Sequence, residues 1–204
     1  MFEWFRRWTR FPGWIELSGA RRRMPASRIR LYAPADFDAC VELYRLNEPN
    51  RFPADGLPIF EKSLNEDNVL RLVVEEHGEV RGCAAIHIQT ANYMHFAMLS
   101  YGLVDPRWHG KGFGSVLLLA RLACLPLDIE HVSLIAVPSS KSFYESYGFR
   151  ERGRLQIDNL ECIVCEARIA PDDIHYGESL LARCGVEMPA HELTVPVITK
   201  VARD

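Results

Sequence analysis

Hydrophobic and polar positions alternate along much of this chain, and the period of the alternation changes from one segment to the next. A period of two is typical of strands, whereas a period between three and four is typical of helices. The pattern predicts a strand over residues 28–32, a helix with one apolar face over residues 35–46 and a short helix near residues 59–64.

Three further strands are predicted over residues 69–76, 80–89 and 94–104. The turn sequence His-Gly-Glu at residues 77–79 separates the first two and joins them in a β-hairpin. A short loop leads from the second strand to the third, so the three strands are expected to be antiparallel neighbours.

The next segment, residues 113–124, predicts a helix that is apolar almost all round, and a strand follows over residues 131–137. A helix with this pattern is usually buried against a sheet. Crossovers of the strand–helix–strand type join parallel strands, so strands 94–104 and 131–137 are expected to lie parallel.

A short helix should begin after residue 138, with Ser139 or Ser140 as its cap and Gly148 in a left-handed conformation at its end. One or two strands are predicted over residues 154–169, and a helix over residues 178–184.

The order of the elements predicts an α+β fold with a central mixed, mostly antiparallel sheet and helices on both faces. We divide the chain into an N-terminal basic and aromatic arm (residues 1–27), a central domain (residues 28–169) and a C-terminal extension packed on that domain (residues 170–204).

Composition narrows the class of protein. Of the 204 residues, 48% are hydrophobic and 25% are charged, and the net charge is −3. These values are typical of a globular protein, and they argue against a disordered chain and against a nucleic-acid partner. No run of 18 apolar residues occurs, so we expect no transmembrane segment. Six scattered cysteines without a secretory signal predict reduced thiols and a cytoplasmic location.

The cysteines also raise the question of a metal site. Cys162 and Cys165 have the spacing of a zinc-binding pair, but a strand would point side chains three residues apart to opposite faces. We therefore expect no metal. Cys40 and Cys124 lie on apolar helix faces, where thiols are inert as nucleophiles.

The first 23 residues differ from the rest, because they carry six arginines against two glutamates, a net charge of +4. Such a segment could lie on an anionic membrane surface, or it could pack on its own domain or on a second subunit. We expect protein packing, with a homodimer as the most natural form. The aromatic residues that need covering are Phe2, Trp4, Phe5, Trp8, Phe11 and Trp14.

The chemically informative stretch is the loop that joins strand 94–104 to helix 113–124. It carries glycines at alternate positions, Gly110, Gly112 and Gly114. Glycine lets successive backbone N–H groups point into one concavity, and the start of a helix adds unsatisfied donors and a partial positive charge. This combination predicts a site for phosphate or pyrophosphate.

Two common phosphate motifs do not fit the loop. It has no G-x-x-x-x-G-K-[ST] sequence, which excludes a P-loop. A dinucleotide fingerprint would need Gly or Ala where Ser115 stands, and an acidic residue at the end of a strand, whereas Glu130 precedes one.

The segment from His109 to Gly114, after Val104-Asp105-Pro106, resembles the acetyl-CoA signature Q/R-x-x-G-x-G/A of the GNAT superfamily of N-acetyltransferases. His109 stands where the family usually has Gln or Arg. A second segment, Phe-Tyr-Glu-Ser-Tyr-Gly-Phe at residues 143–149, is similar to the family's aromatic-Tyr-Glu-x-x-Gly-Phe segment. The resemblance covers residues 28–169.

The resemblance implies that acetyl-CoA is the co-substrate and that the sheet splays between its fourth and fifth strands, where the pantetheine arm would bind beside the backbone. The acceptor would be a primary amine that attacks the acetyl carbonyl directly. The residues implied in acetyl-CoA binding are Leu103, Val104, His109, Gly110, Lys111, Gly112, Phe113, Gly114 and Ser115.

The resemblance also implies that Tyr144 protonates the departing thiolate, since a phenol and a thiol have similar acidities. The base is less defined. On the fourth strand, Met98 cannot accept a proton, whereas Ser100 could orient a water that does. His87, Glu75 and Glu76 on neighbouring strands are the alternatives.

Two other functions stay open at this point. Met98 at the base position would suit an acyl-CoA-binding sensor or interaction module of the same fold, with little catalytic activity. A nicotinamide enzyme would bind NAD and ignore CoA. The sequence does not name the acceptor, which could be a small amine, a lysine side chain or a protein N-terminus.

Overall fold

Strands and helices follow one another nearly as predicted in the computed structural model, which describes residues 13–17, 24–91, 94–189 and 197–198. The elements in chain order are β1 (Gly13–Trp14), β2 (Ser27–Leu31), α1 (Phe37–Asn47), α2 (Leu57–Ser63), β3 (Leu70–Glu76), β4 (Glu79–Ala91), β5 (Met94–Val104), α3 (Phe113–Ala123), β6 (His131–Ala136), α4 (Lys141–Glu145), β7 (Arg150–Ile157), β8 (Leu160–Arg168), α5 (Pro171–Arg183), β9 (Val186–Glu187) and β10 (Val197–Ile198).

The strands form one mixed sheet in the order β1-β8-β6-β5-β4-β3-β2-β9, with β7 beside β8 and β10 beside β4. The run β2-β3-β4-β5 is antiparallel, and β5 and β6 are parallel, as the crossover predicts. The predicted fold class is confirmed.

The sheet opens between β5 and β6, the fourth and fifth of the predicted strands. Pairing begins at Phe96 with His131 and ends at Leu99 with Leu134. Beyond that point, residues 100–104 of β5 have β4 on one side and no pairing with β6 on the other. The splay that the family resemblance implied is therefore present.

A β-bulge in β5 sets which side chains face the splay. Tyr101 has a φ of 48°, and the register with β4 shifts at this position. In an unbroken strand, Leu99 and Leu103 would share a face. The bulge separates them, so that Leu99 packs with residues of α3 and Leu103 with residues of α1 and α2.

Helices cover both faces of the sheet, as predicted. On one face lies α3, and α5 packs beside it through Ile174 and Leu181. On the other face lie α1 and α2, which enclose a smaller core around Tyr44 and Phe60. Each large apolar side chain buried in this way contributes about 1.5–3 kcal/mol.

One local prediction near the helices was confirmed in position only, and another was wrong. Ser140 stands at the cap position of α4, but its hydroxyl makes no cap bond and instead accepts a hydrogen bond from Arg51. Helix α5 begins at Pro171, seven residues earlier than expected, because a proline suits the first helical turn and the Asp173 carboxylate accepts from the Ala170 N–H at 2.9 Å.

The described part of the N-terminal arm packs on the domain itself. Strand β1 pairs in parallel with β8, and Ile15 and Leu17 are only 6% and 5% exposed. Trp14 is exposed, with the Arg168 guanidinium 4.6 Å from its ring. The expectations for Phe2, Trp4, Phe5, Trp8 and Phe11 lie outside the described residues.

No helix within the described residues is long and apolar enough to cross a membrane. The described residues also contain no group of three or more His, Cys, Asp or Glu side chains that could hold a metal ion. Cys162 lines a cavity, whereas Cys165 lies in the core on the other face of β8.

Candidate active site

The loop between β5 and α3 is held in place by Asp105. This buried carboxylate accepts from the Arg107 N–H at 2.9 Å and pairs with its guanidinium at 2.6 Å. The hydrogen bonds from Arg107 keep the pKa of Asp105 below its ordinary value. The β5 strand thus ends at a fixed point, from which the chain turns toward α3.

Two glycines then let the backbone turn from this loop into helix α3. Gly110 and Gly112 have φ values of 75° and 99°, which side chains rarely allow. The first amide that bonds back along α3 is that of Val116, to the Gly112 carbonyl at 3.0 Å. The amides of the preceding residues are the free donors expected at a helix start, and they carry its partial positive charge.

A cavity of about 470 Å³ lies over this helix start and continues along the open side of β5. The predicted acetyl-CoA residues that line it are Val104, His109, Gly110, Gly112, Gly114 and Ser115. Leu103 and Phe113 do not, because their side chains are buried in the core, and the Lys111 ammonium lies 4.0 Å from the Trp108 ring centre. These three could reach a ligand only through backbone groups or by moving.

The backbone carbonyl of Val104 is already used within the protein. It accepts from the Asn47 side-chain amide at 3.0 Å and lies 3.0 Å from His109 Nε2, which donates because a carbonyl can only accept. A carbonyl oxygen has two lone pairs, so this one is saturated. The prediction that the Val104 backbone binds the pantetheine arm is therefore restricted to its N–H group.

Tyr144 lies on α4 at the inner end of this cavity, where Arg121 also lines the wall. Arg121 is only 3% exposed and also donates to the Leu117 carbonyl at 3.2 Å. Gly102 leaves room for it, because a Cβ there would lie 3.2 Å from an Arg121 nitrogen.

A second cavity, of about 340 Å³, lies on the opposite side of the splay and is walled by the β7–β8 hairpin and by the segment between α1 and α2. Met98 and Ser100 both line it. The two cavities meet at the residues that line both, which are Arg51, Gly102, Arg121, Ser140 and Tyr144.

Of the proposed bases, His87 is the one in contact with this region. Its Nε2 lies 2.8 Å from Ser100 Oγ, and burial, with a smaller effect of the Arg71 charge, lowers the pKa of His87. Glu75 is paired with Arg30 at 2.7 Å and Glu76 with Arg81 at 3.5 Å, and neither lines either cavity.

Sequence reasoning missed Arg51 and Arg121. A signal for Arg121 was present, since it is the one charge that interrupts the apolar helix α3. Arg51 lies in a turn-rich loop, and nothing in its local sequence distinguishes it from a solvated arginine.

The cysteines show no sign of nucleophilic chemistry. All six are free, and burial raises the pKa of Cys124 to about 12 and of Cys165 to about 11. Such thiols stay protonated at neutral pH and are poor nucleophiles.

Comparison with known proteins identifies the class. Residues 67–151 match the family described as the acetyltransferase (GNAT) domain. Among curated proteins, none is similar enough in sequence to be counted as a relative. The matched segment contains the glycine loop, the splay and Tyr144, so this part of the chain is similar to a GNAT acetyltransferase domain in its motifs and in its fold.

Solved structures show the same fold. A protein of Desulfovibrio desulfuricans assigned to the GNAT family is 16% identical with a TM-score of 0.60, over 70% of this chain and 99% of its own. The ribosomal-protein-S18-alanine N-acetyltransferase of Escherichia coli is 18% identical with a TM-score of 0.56, over 71% and 94%. An aminoglycoside 6'-N-acetyltransferase in complex with coenzyme A is 13% identical with a TM-score of 0.57, over 69% and 96%.

Proposed function

We propose that this protein transfers the acetyl group of acetyl-CoA to a primary amine by direct attack. The observation that carries the proposal is that two cavities enter the β5–β6 splay from opposite sides and share Tyr144. A donor and an acceptor bound in these cavities would meet at the shared residues, so no covalent enzyme intermediate is needed.

The larger cavity is the proposed acetyl-CoA site. Its pyrophosphate would bind the free amides between Gly110 and Ser115, where the start of α3 favours negative charge; the Lys111 amide is excluded, because it donates to the Trp108 carbonyl at 3.3 Å. The pantetheine arm would run along the open side of β5 toward Tyr144. A protein with the same fold has been solved in complex with coenzyme A, which supports the choice of this ligand.

Tyr144 is the proposed general acid. Arg121 and Tyr144 line the same two cavities, and a guanidinium has donors and no acceptor, so a hydrogen bond from Arg121 would end on a lone pair of the Tyr144 oxygen. The hydroxyl proton is then free to point into the cavity, toward the sulfur of the leaving CoA. Arg121 thus orients the phenol for donation.

Ser100 and His87 form the proposed route for the amine proton. The Ser100 hydroxyl lines the second cavity and can donate to His87 Nε2 while its oxygen faces the amine. In the reaction, a C–N bond forms and the C–S bond breaks. The amine proton moves through Ser100 to His87, and the Tyr144 proton moves to the CoA sulfur.

The proposed location is the cytoplasm, where a reducing environment would keep the free, mostly buried cysteines as thiols.

The test is to incubate the purified protein with acetyl-CoA and a panel of amines and to follow free thiol. We expect thiol release that depends on both the amine and the protein, together with acetylated amine in a 1:1 ratio. Tight acetyl-CoA binding without release for any amine would favour the sensor function instead. Binding of NAD with no response to CoA would point to a nicotinamide enzyme.

A further inference from the structure

The charge on Arg121 lacks a carboxylate partner. The side chain is 3% exposed, and the groups to which it donates hydrogen bonds, the Leu117 carbonyl at 3.2 Å and the Ser100 carbonyl at 3.5 Å, are both neutral. A buried charge without a counter-ion is costly, and in most proteins it is paired. An arginine remains charged even where burial lowers its pKa, so this site holds a positive charge that a bound anion would neutralise.

A second arginine lies at the same place. Arg51 is exposed, and its guanidinium donates to Ser140 Oγ at 2.9 Å across the mouth of the splay. Arg51 and Arg121 both line both cavities, so they mark the junction where donor and acceptor meet. Two guanidinium groups near one point favour a carboxylate, which can bind each of them by charge-assisted hydrogen bonds.

The rest of the second cavity is mainly apolar. Among the described residues that line it, Asp158, on the turn between β7 and β8, is the one carboxylate. Its walls present large hydrophobic side chains, among them Phe52, Ile59, Met98, Ile135 and Leu160. Ile59 and Ile135 are 66% and 42% exposed, so an apolar ligand would bury their side chains and remove apolar surface from water.

From these observations we infer that the acceptor is a free α-amino acid with a large apolar side chain. The inference rests on the proposed acetyl transfer. The attacking nitrogen must reach the junction, and the two arginines line the junction, so the anionic group should lie close to the amine, as the carboxylate of an α-amino acid does. Only then can the side chain extend into the apolar part of the cavity.

The same geometry excludes other acceptors by their charge. A polyamine or an amino sugar brings further positive charges to a site that already has two, which costs binding energy. A protein N-terminus or a lysine side chain within a peptide has no carboxylate beside its amine. The arginines also favour the neutral, nucleophilic form of the bound amine, because a nearby positive charge disfavours an ammonium ion.

The first experiment compares matched acceptors with the wild-type protein. Phenylalanine, phenylalaninamide, alanine and spermidine are tested with acetyl-CoA, and kcat/KM is measured from CoA release. We expect phenylalanine to exceed both its amide and alanine by about tenfold or more, since each lacks one of the two contacts. An amide or a spermidine that reacts as well as phenylalanine overturns the acceptor class and leaves acetyl transfer standing.

The second experiment uses Arg51→Gln, because an exposed side chain can be replaced without disturbing the core. We expect kcat/KM for phenylalanine to fall by about tenfold, with little change for phenylalaninamide. Arg45→Gln, an exposed arginine of α1 that lines neither cavity, is the matched control and should leave both values unchanged. Equal losses for acid and amide in Arg51→Gln contradict a carboxylate contact.

Failure of the transfer reaction can be separated from failure of this inference by binding alone. With CoA present, phenylalanine should raise the melting temperature of the wild-type protein more than phenylalaninamide does, whether or not acetyl transfer occurs. Equal shifts for the two ligands overturn the acceptor class. If no CoA is released but phenylalanine raises the melting temperature more than phenylalaninamide does, only the proposed reaction is overturned.

Discussion

His87 Nε2 lies 2.8 Å from Ser100 Oγ, so two side chains from neighbouring strands are joined at the wall of the acceptor cavity. Serine alone is a weak base, whereas an imidazole can hold a proton. In the proposed reaction, Ser100 connects the amine to the half-buried imidazole of His87, because the serine hydroxyl can pass on a proton that the imidazole then holds.

His87→Gln should lower kcat by about 10²–10⁴-fold, the usual contribution of a general base. The imidazole must be neutral to accept a proton, and burial together with the Arg71 charge lowers its pKa, whereas Glu66 acts in the opposite sense. Activity should therefore fall only as the pH drops below the ordinary histidine value of about 6.5. A pH profile of kcat/KM checks this, and an acid limb retained in His87→Gln would assign the base elsewhere.

Tyr144→Phe should lower kcat by about tenfold to a thousandfold and leave acetyl-CoA affinity nearly unchanged, because only the proton donor is lost. Assays of CoA release give kcat, and calorimetry gives the affinity for acetyl-CoA. An unchanged kcat would mean that product release limits the rate or that Tyr144 only packs.

Substitutions in the glycine loop test the pyrophosphate site. Gly114→Glu should abolish acetyl-CoA binding, which we expect in the micromolar range, at about −7 to −8 kcal/mol. Gly112→Asp should do the same, although its φ of 99° also strains any side chain.

Gly114→Ala is the matched control for Gly114→Glu and Gly112→Asp. A Cβ at Gly114 would lie 3.7 Å from the Phe143 ring, an ordinary contact, so Gly114→Ala should fold normally. His109→Ala should cost only a modest part of the affinity, because backbone amides supply most of the donors. Normal binding by a folded Gly114→Glu would place the pyrophosphate elsewhere.

Gly148→Ala should lower the melting temperature. Gly148 has a φ of 85°, and a Cβ there would lie 1.9 Å from the Trp14 carbonyl oxygen, so both the backbone and the packed arm must shift. The backbone strain alone costs about 1–3 kcal/mol. Gly153→Ala is the control, since a Cβ at Gly153 meets nothing within 4 Å. Equal melting temperatures for the two variants would contradict the close approach of the arm.

Deletion of residues 1–23 should also lower the melting temperature, because it removes the buried side chains of Ile15 and Leu17, each worth about 1.5–3 kcal/mol. We further propose that the arm extends a homodimer interface, so sedimentation should show a smaller mass for the shortened chain. Flotation of the intact protein with anionic vesicles, with no change in mass or stability on deletion, would favour a membrane surface instead.

The sequence predicted the elements whose signals are local. Helix α3 and its glycine loop were predicted closely, because an apolar run and three glycines mark them without reference to the rest of the chain. Strand β1 was not predicted, since two residues have no periodicity and their partner in β8 is distant in sequence.

The candidate site was only partly predictable for the same reason. The motif positions could be assigned by resemblance, but the bond between His87 and Ser100 depends on the register of two strands. The bulge at Tyr101 changes which residues of β5 face α3, and nothing in the sequence marks the position at which the extra residue of the bulge occurs. The role of Arg121 follows from its depth under the splay, which only the folded chain reveals.

The open side of β5 has a consequence for how the protein behaves in a crowded solution. An unpaired strand edge is a template on which other polypeptides can add a strand and aggregate. Here the edge lies at two cavities that are lined by residues of α3, α4 and the β7–β8 hairpin. These elements cover the place where a second chain would have to add a strand, so the opening in the sheet is shielded from self-association.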